Sequence, residues 1–347
     1  MNIVIIFGGS SFEHEISIVS TITLKKVLKS QNLDFVFVDA NRDMYHIDAD
    51  NLKSSYFSSG DYKKSKRVYI QKGGFYTLGL MGSKKSLDCD VVLNLIHGRD
   101  GEDGKIASLM EFYSISYIGP RVEASAISYS KILTKLYAKS VGIEVLPYEV
   151  LYKKGTKEIK TKRPFIIKPV HLGSSIGVSI VKDGDDLNYA LDVAFEFDDT
   201  VIIEPFIEGI SEYNLAGCKS SVWELSIVEE PHKDEFLDFD KKYMDFSRDN
   251  SINEASIDNV LKNRMIEAFE KIYSDMFEGS IIRCDFFVID DKIYLNEINP
   301  IPGSMANYLF KDFENMIERL AKVLPKERNI TIDYKYIHSI QSAKGKA

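Results

Sequence analysis

With 347 residues, 44% of them hydrophobic and 28% charged, the chain has the ordinary globular balance and enough length for two or three domains, which excludes a disordered or low-complexity protein. Lysine and arginine number 44 against 52 aspartate and glutamate, and the net charge of −8 disfavours a broad polyanion-binding surface, so nucleic acid is not an expected partner. Cys89, Cys218 and Cys284 are odd in number and carry no C-x-x-C, which points away from disulfides and thiolate zinc sites and towards a reducing cytoplasm. Apolar runs such as Ile3 to Phe7 and Phe286 to Ile289 are far too short to span a bilayer, and Met1-Asn2 runs straight into a strand pattern rather than a basic leader, so no membrane segment or signal peptide is expected.

In chain order, Asn2 to Phe7 is a β-branched run closed by Gly8-Gly9, followed by apolar residues at helical spacing (Ile16, Val19, Ile22, Val27). Phe35 to Asp39 and Val91 to Ile96 read as the next strands, a parallel βαβ start. The polar stretch from Arg42 to Leu87 reads as an irregular insertion with a hairpin turn at Gly73-Gly74. Helices are expected over Gly104 to Tyr113 and Ser125 to Val141, with Gly119-Pro120 as a boundary between them. Strands follow at Phe165 to Lys168, Ile176 to Val181 and Val201 to Glu204. The charged, aromatic stretch 229–254 is longer than a connector and reads as a lid. Asp258 to Phe277 and Phe313 to Leu324 are expected helices, flanking strands at Ser280 to Ile289 and Lys292 to Ile298.

These last two strands carry the densest chemistry. Alternation puts Arg283, Asp285 and Phe287 on one face and Ile282, Cys284, Phe286 and Val288 on the buried one. A three-residue loop, Asp290 to Lys292, pairs Ile289 with Ile293 and sets Asp285 opposite Glu297 and Arg283 opposite Asn299. A two-residue loop would turn Glu297 into the core. Two facing carboxylates repel unless they hold a hard cation, for which Mg²⁺ shared with phosphates fits, although the same pattern also serves an exposed, solvated hairpin.

Lys168-Pro-Val-His-Leu-Gly-Ser-Ser-Ile-Gly177 sets a strand-borne lysine before a small-residue loop. Its backbone N–H groups could cradle phosphate, or the loop could be a plain flexible turn. Lys131 and Lys168 are candidates for nucleotide phosphates, Glu204 and Glu212 for adenine and ribose. Phe7-Gly-Gly-Ser-Ser-Phe-Glu-His-Glu-Ile16 opens a helix with Glu13 near its start, where the carboxylate could bind a substrate ammonium or merely complement the helix dipole. His97-Gly-Arg-Asp-Gly-Glu-Asp-Gly104 follows the third strand at its carboxyl end, where open α/β sheets place ligands.

Taken in order, these segments, with Lys241-Lys-Tyr243 and Asn296-Glu-Ile-Asn-Pro-Ile-Pro-Gly303, resemble the D-alanine–D-alanine ligases of the ATP-grasp superfamily over nearly the whole chain. The resemblance implies an α/β, ATP-grasp fold: an N-terminal doubly wound parallel-sheet domain (1–119), then two α+β domains (120–204 and 205–347) sandwiching ATP, with the lid at 229–254. It implies ATP as cosubstrate and Mg²⁺, with Mn²⁺ as a substitute, held by Asp285, Glu297 and Asn299. Lys131, Lys168, Gly173, Ser175, Glu204 and Glu212 match the nucleotide-binding positions. Glu13 matches the acid holding the first D-alanine's ammonium, linked to Ser174 and Tyr243, with His97 nearby. Arg283 and the Gly303 N–H match the oxyanion site, and Lys242 and Tyr308 the second-substrate positions. Leu172 and Tyr308 depart from the glutamate and serine found there in other members.

The activity so implied is cytoplasmic ligation of two D-alanines for peptidoglycan precursors through an acyl phosphate. The small-molecule partners are D-alanine and ATP, and a homodimer is left open. The alternatives are a D-alanyl-D-lactate or D-alanyl-D-serine ligase, or a non-catalytic nucleotide-binding protein on the same fold. D-lactate-forming relatives carry a lid histidine where Tyr243 stands here, which favours the dipeptide.

Overall fold

The structure is a computed structural model describing residues 1–155, 158–231 and 254–343. Its described N-terminal elements are β1 (Asn2–Gly8), α1 (His14–Val27), β2 (Asn32–Val38), β3 (Met44–Ile47), α2 (Ser54–Ser58), β4 (Lys66–Gln71), β5 (Gly74–Leu78), β6 (Lys84–Ser86), β7 (Val91–Asn94), α3 (Lys105–Phe112) and β8 (Tyr117–Ile118). The strands form one sheet in the order β6-β5-β4-β3-β2-β1-β7-β8, parallel from β2 to β8 and antiparallel from β2 outward to β6. The 42–87 stretch is therefore not irregular: its short strands extend the parallel sheet, and its hairpin closes with Gln71 opposite Gly74.

Period-two alternation divides the core. Ile3, Ile5, Phe7, Phe35, Phe37 and Leu93 pack with Ile18 and Leu24 of α1. Val4, Ile6, Val36 and Val92 pack with Ile106, Ala107 and Met110 of α3 on the opposite face. Covering both faces is what lets β1 run as an unbroken apolar strand.

The expected Ser125 to Val141 helix is two, α4 (Val122–Tyr129) and α5 (Lys131–Ser140). Ser130 between them is extended (φ −100°, ψ 114°), and its hydroxyl caps α5 by accepting the Leu133 N–H, which makes Lys131 the first residue of α5. Strands β9 (Glu149–Tyr152), β10 (Phe165–Pro169), β11 (Ser179–Val181) and β12 (Thr200–Pro205) form an antiparallel sheet ordered β11-β10-β12-β9. Its Phe165, Ile167, Val201 and Ile203 face packs on α6 (Leu187–Phe195).

A third antiparallel sheet, ordered β14-β13-β15-β16, contains β13 (Ser211–Lys219), β14 (Trp223–Glu229), β15 (Ile282–Ile289) and β16 (Lys292–Asn299). Leu215, Ile282, Cys284 and Phe286 bury their side chains with Met265, Phe269 and Ile272 of α7 (Asn259–Tyr273). A 3₁₀ turn (Gly303–Leu309), α8 (Phe313–Ala321) and the exposed α9 (Lys335–Ala343) complete the described chain. Among the described residues no helix is long and apolar enough to cross a membrane.

Candidate active site

The uncovered faces of the second and third sheets meet in a cleft lined by Leu146, Ile166, Phe206, Ile207, Ile210 and Phe287, with Lys168 and Glu204 at its polar end. Ile166 is the register partner of Glu204 and Lys168 of Ile202, which keeps the lysine and glutamate on the face turned away from α6. Glu204 is buried, with one oxygen 2.5 Å from Lys135 Nζ and the other 3.0 Å from Lys168 Nζ. Burial alone would raise its pKa, but Lys168 and Lys135 together pull it down to about 2. Lys168 also donates to Asn296 Oδ1 at 3.3 Å, and although burial lowers its pKa, Glu204 together with Glu297 and Glu212 raises it on balance. Glu212 pairs in register with Phe287 on the same face of the third sheet.

The hairpin of β15 and β16 delivers the expected convergence by a different route. Its loop has two residues, Asp290 and Asp291, both left-handed (φ 46° and 62°), and Ile289 pairs with Lys292 rather than Ile293. Left alone, that register would turn Glu297 into the core. A β-bulge between Asp285 and Phe286 restores parity: Phe286 faces Leu295, Asp285 faces Glu297, and Asn296 is the extra residue. Arg283 accordingly lies opposite Asn299.

Asp285 is not a solvent-facing charge, however. It is 4% exposed, takes two hydrogen bonds from Arg283 (2.7 and 2.9 Å) and a third from Asn299 Nδ2 (3.0 Å). Glu297 is more open and lies 3.9 Å from Lys131 Nζ, whose ammonium also donates to the Leu172 carbonyl at 2.6 Å. The donors gathered here are two carboxylates and an amide, hard oxygens of the kind Mg²⁺ or Mn²⁺ prefers, and ligand phosphates would complete the shell. Among the described residues no group of three or more histidine, cysteine, aspartate or glutamate side chains forms a protein-only metal cage.

A second group of site residues is built by the N-terminal loops and the Gly173–Ser174 backbone. Glu13 is buried beside the backbones of Gly98 and Gly173: a Cβ on Gly98 would sit 2.5 Å from Glu13 Oε2, and one on Gly173 3.0 Å from Oε1. Ser174, left-handed at φ 58° like Ser175, donates its hydroxyl to Glu13. Burial, followed by repulsion from Glu102, raises the Glu13 pKa to about 7 against the opposing influence of Ser174, His97 and Lys131. Asp100 stitches the two N-terminal loops together, accepting from Arg42 (3.0 and 2.9 Å) and from the Ser10 N–H (3.0 Å). His97 is buried, with Nε2 3.0 Å from Ser20 Oγ and Nδ1 3.8 Å from Glu102.

Gly303 opens a turn whose next three residues, Ser304, Met305 and Ala306, are all left-handed (φ 48°, 54°, 51°) and buried. Such a conformation costs L-residues roughly 1–2 kcal/mol each, so the turn has to be held by its surroundings. Tyr308 lies at its far end and donates to Glu229 Oε2 at 3.3 Å, an oxygen that also accepts from Asn214 Nδ2 at 3.0 Å.

Lys168 and Glu204 line one pocket and Lys131, Gly173, Glu297 and Asn299 a second, while direct contacts join Glu13 to Ser174, Lys131 to Glu297, and Arg283 and Asn299 to Asp285. Lys242, Tyr243 and most of the expected lid lie outside the described residues. Lys135, Ser20, Glu102 and Glu229 were not among the expected site residues. A signal existed for Ser20, because Ile16, Ser20 and Leu24 share one helical stripe and a hydroxyl on a core stripe needs a partner.

Comparison with known proteins bears on the whole chain. The family description "D-ala D-ala ligase N-terminus" matches residues 2–120, and "D-ala D-ala ligase C-terminus" matches residues 137–318. A D-alanine–D-alanine ligase of a Sulfurovum species is 64% identical over 347 residues, all of both chains. One from a Nitratiruptor species is 60% identical over 344 residues, 99% of this chain and 100% of that protein. The crystal structure of the Helicobacter pylori D-alanine–D-alanine ligase superposes with a TM-score of 0.84 at 48% identity, covering 94% of this chain and 100% of that one.

Proposed function

The chain belongs to the D-alanine–D-alanine ligase family, and we propose that it joins two D-alanines at the expense of ATP, making D-alanyl-D-alanine for peptidoglycan precursors. The observation that carries the reading is Glu13: a buried carboxylate, raised to about 7, enclosed by two glycine backbones and hydrogen-bonded to a serine, is a receptor for a small substrate's ammonium.

In the first step a carboxylate oxygen of the first D-alanine attacks the γ-phosphorus of ATP, the bond to ADP breaks, and an acyl phosphate forms. Lys131 and Lys168 are assigned to the phosphates, with the Gly173 to Ser175 backbone cradling them. Ile166, Phe206 and Phe287 would stack the base, and Glu204 and Glu212 would receive adenine and ribose donors. Asp285, Glu297 and Asn299 would hold Mg²⁺, which supplies charge neutralisation and alignment of the phosphates. Arg283, fixed by Asp285, lies beside that set.

In the second step the amine of the second D-alanine attacks the acyl carbon, and the tetrahedral intermediate collapses with loss of phosphate. Arg283 and the Gly303 N–H are assigned to its oxyanion, where one donor is typically worth about 3–4 kcal/mol. Tyr308 and Lys242 are assigned to the second substrate, and Tyr243 to the chain that removes its proton through Ser174 and Glu13. A cytoplasmic location, where ATP is supplied, and the three-part division at 119 and 204, with one sheet in each part, belong to the same proposal. Incubation with ATP, Mg²⁺ and D-alanine tests it: stoichiometric phosphate and a D-alanyl-D-alanine mass are expected. A D-lactate or D-serine product from mixed acceptors would move the specificity, and absence of D-alanine-dependent phosphate would overturn the reading.

A further inference from the structure

Ser20 lies at the centre of a contact that none of the assignments above uses. It is fully buried on α1, and its hydroxyl has two partners: His97 Nε2 at 3.0 Å and the N–H of Ser304, the residue after Gly303, at 3.1 Å. A serine hydroxyl has one proton to donate and two lone pairs with which to accept. The Ser304 N–H takes one lone pair, and the hydroxyl's proton or its second lone pair meets His97 Nε2, according to the His97 tautomer.

Three consecutive left-handed residues after Gly303 make a turn that would relax if released. Two hydrogen bonds internal to it, Met305 N to Pro302 O (2.7 Å) and Asn307 Nδ2 to Ser304 O (2.9 Å), help to close it. The bond to Ser20 joins it to another element. Glu13 stands at the start of that same helix, seven residues earlier and about 10 Å along the axis. A rigid helix therefore connects the carboxylate assigned to the substrate ammonium with the turn whose first N–H is assigned to the oxyanion.

We infer that Ser20 is a positioning residue for the second chemical step: its hydroxyl fixes the Gly303–Ser304 backbone relative to Glu13 and so aims the Gly303 N–H at the oxyanion. The inference rests on the ligase reading. Removing the hydroxyl leaves the nucleotide cleft, Lys168, Glu204 and the metal-facing hairpin in place. The acyl phosphate still forms, but amine attack on it slows and water takes a larger share.

The test compares phosphate released with dipeptide formed for the wild type, Ser20→Ala and Ser20→Cys, under ATP, Mg²⁺ and saturating D-alanine. The wild type should give one phosphate per dipeptide. Ser20→Ala should form dipeptide 10- to 100-fold more slowly, with its KM for ATP within twofold of the wild type and at least three phosphates released per dipeptide. Ser20→Cys, which keeps a weak acceptor, should fall between them. A merely structural serine would lower both products together, and a ratio that stays at one in the variants overturns the inference, as does an unchanged dipeptide rate. If the alanine variant does not fold, the ratio in the cysteine variant decides on the same terms. A wild type that forms no dipeptide would instead overturn the ligase reading itself.

Discussion

Glu13 and Glu204 are the same residue type and almost equally buried, yet their pKa values are driven in opposite directions, to about 7 and about 2. Desolvation pushes both up. Glu204 has Lys135 and Lys168 on its two oxygens, cations that the protein itself supplies. Glu13 has a serine hydroxyl, two glycine backbones and the repulsion of Glu102. One carboxylate has its counter-charges within the fold and contributes to stability as well as lining the nucleotide cleft. The other is held at an energetic disadvantage that a bound ammonium relieves, and belongs to recognition.

The largest consequence should be seen at the completed site. Glu204→Gln leaves two buried lysines without their counter-charge and should cost about 3–5 kcal/mol in urea melts at neutral pH. Because the Glu204 pKa is depressed, its contribution is present above its ordinary carboxylate value and lost as pH falls towards 2, and the variant should lack that acid limb. A loss below about 1 kcal/mol would mean that the lysines do not depend on this carboxylate.

Glu297→Gln probes the metal-facing hairpin separately from either glutamate. It should lower kcat/KM for Mg-ATP by on the order of a hundredfold with little change in melting, since its side chain is one-third exposed. Asp285→Asn should lose activity and stability together, because Asp285 is buried and holds Arg283 through two hydrogen bonds.

Glu13→Gln should behave in the opposite sense to Glu204→Gln. A raised pKa favours the protonated form in the fold, so the wild type is most stable relative to this group at low pH and loses that stability as pH rises through about 7. The neutral variant should therefore gain on the order of 3 kcal/mol over the wild type at pH 8 while failing to use D-alanine. Equal stability at pH 5 and pH 8 would contradict the raised value. A smaller effect follows on binding: below about pH 7 the free carboxyl must first ionise, so the KM for the first D-alanine should rise about tenfold per pH unit as pH falls and level off above 7. A flat profile would remove Glu13 from that subsite.

The two regions were not equally legible in the sequence. Glu13, His97 and the Gly173 to Ser175 loop stand in contiguous glycine-marked runs; the first two follow the carboxyl ends of parallel strands β1 and β7, and the loop follows β10 of the antiparallel second sheet. The hairpin register came out through compensating features, a loop one residue shorter than expected and a bulge at Asn296, and a bulge leaves no mark on simple alternation. Lys135 escaped because α5 inverts the usual rule: Leu133 and Leu136 are exposed while the lysine between them is buried against a carboxylate distant in sequence. The 42–87 strands are short, and the buried Val68, Phe75 and Thr77 give too brief a pattern to separate from loop.

The contrast between the two glutamates is most directly tested by a ¹³C-carboxyl NMR titration of Glu13, assigned by difference from Glu13→Gln, with and without D-alanine. The expected midpoint is near 7 in the free protein, falling by at least one unit when the ammonium binds. A midpoint at the ordinary glutamate value in both states would contradict the claim that this carboxylate is held in readiness for a cation.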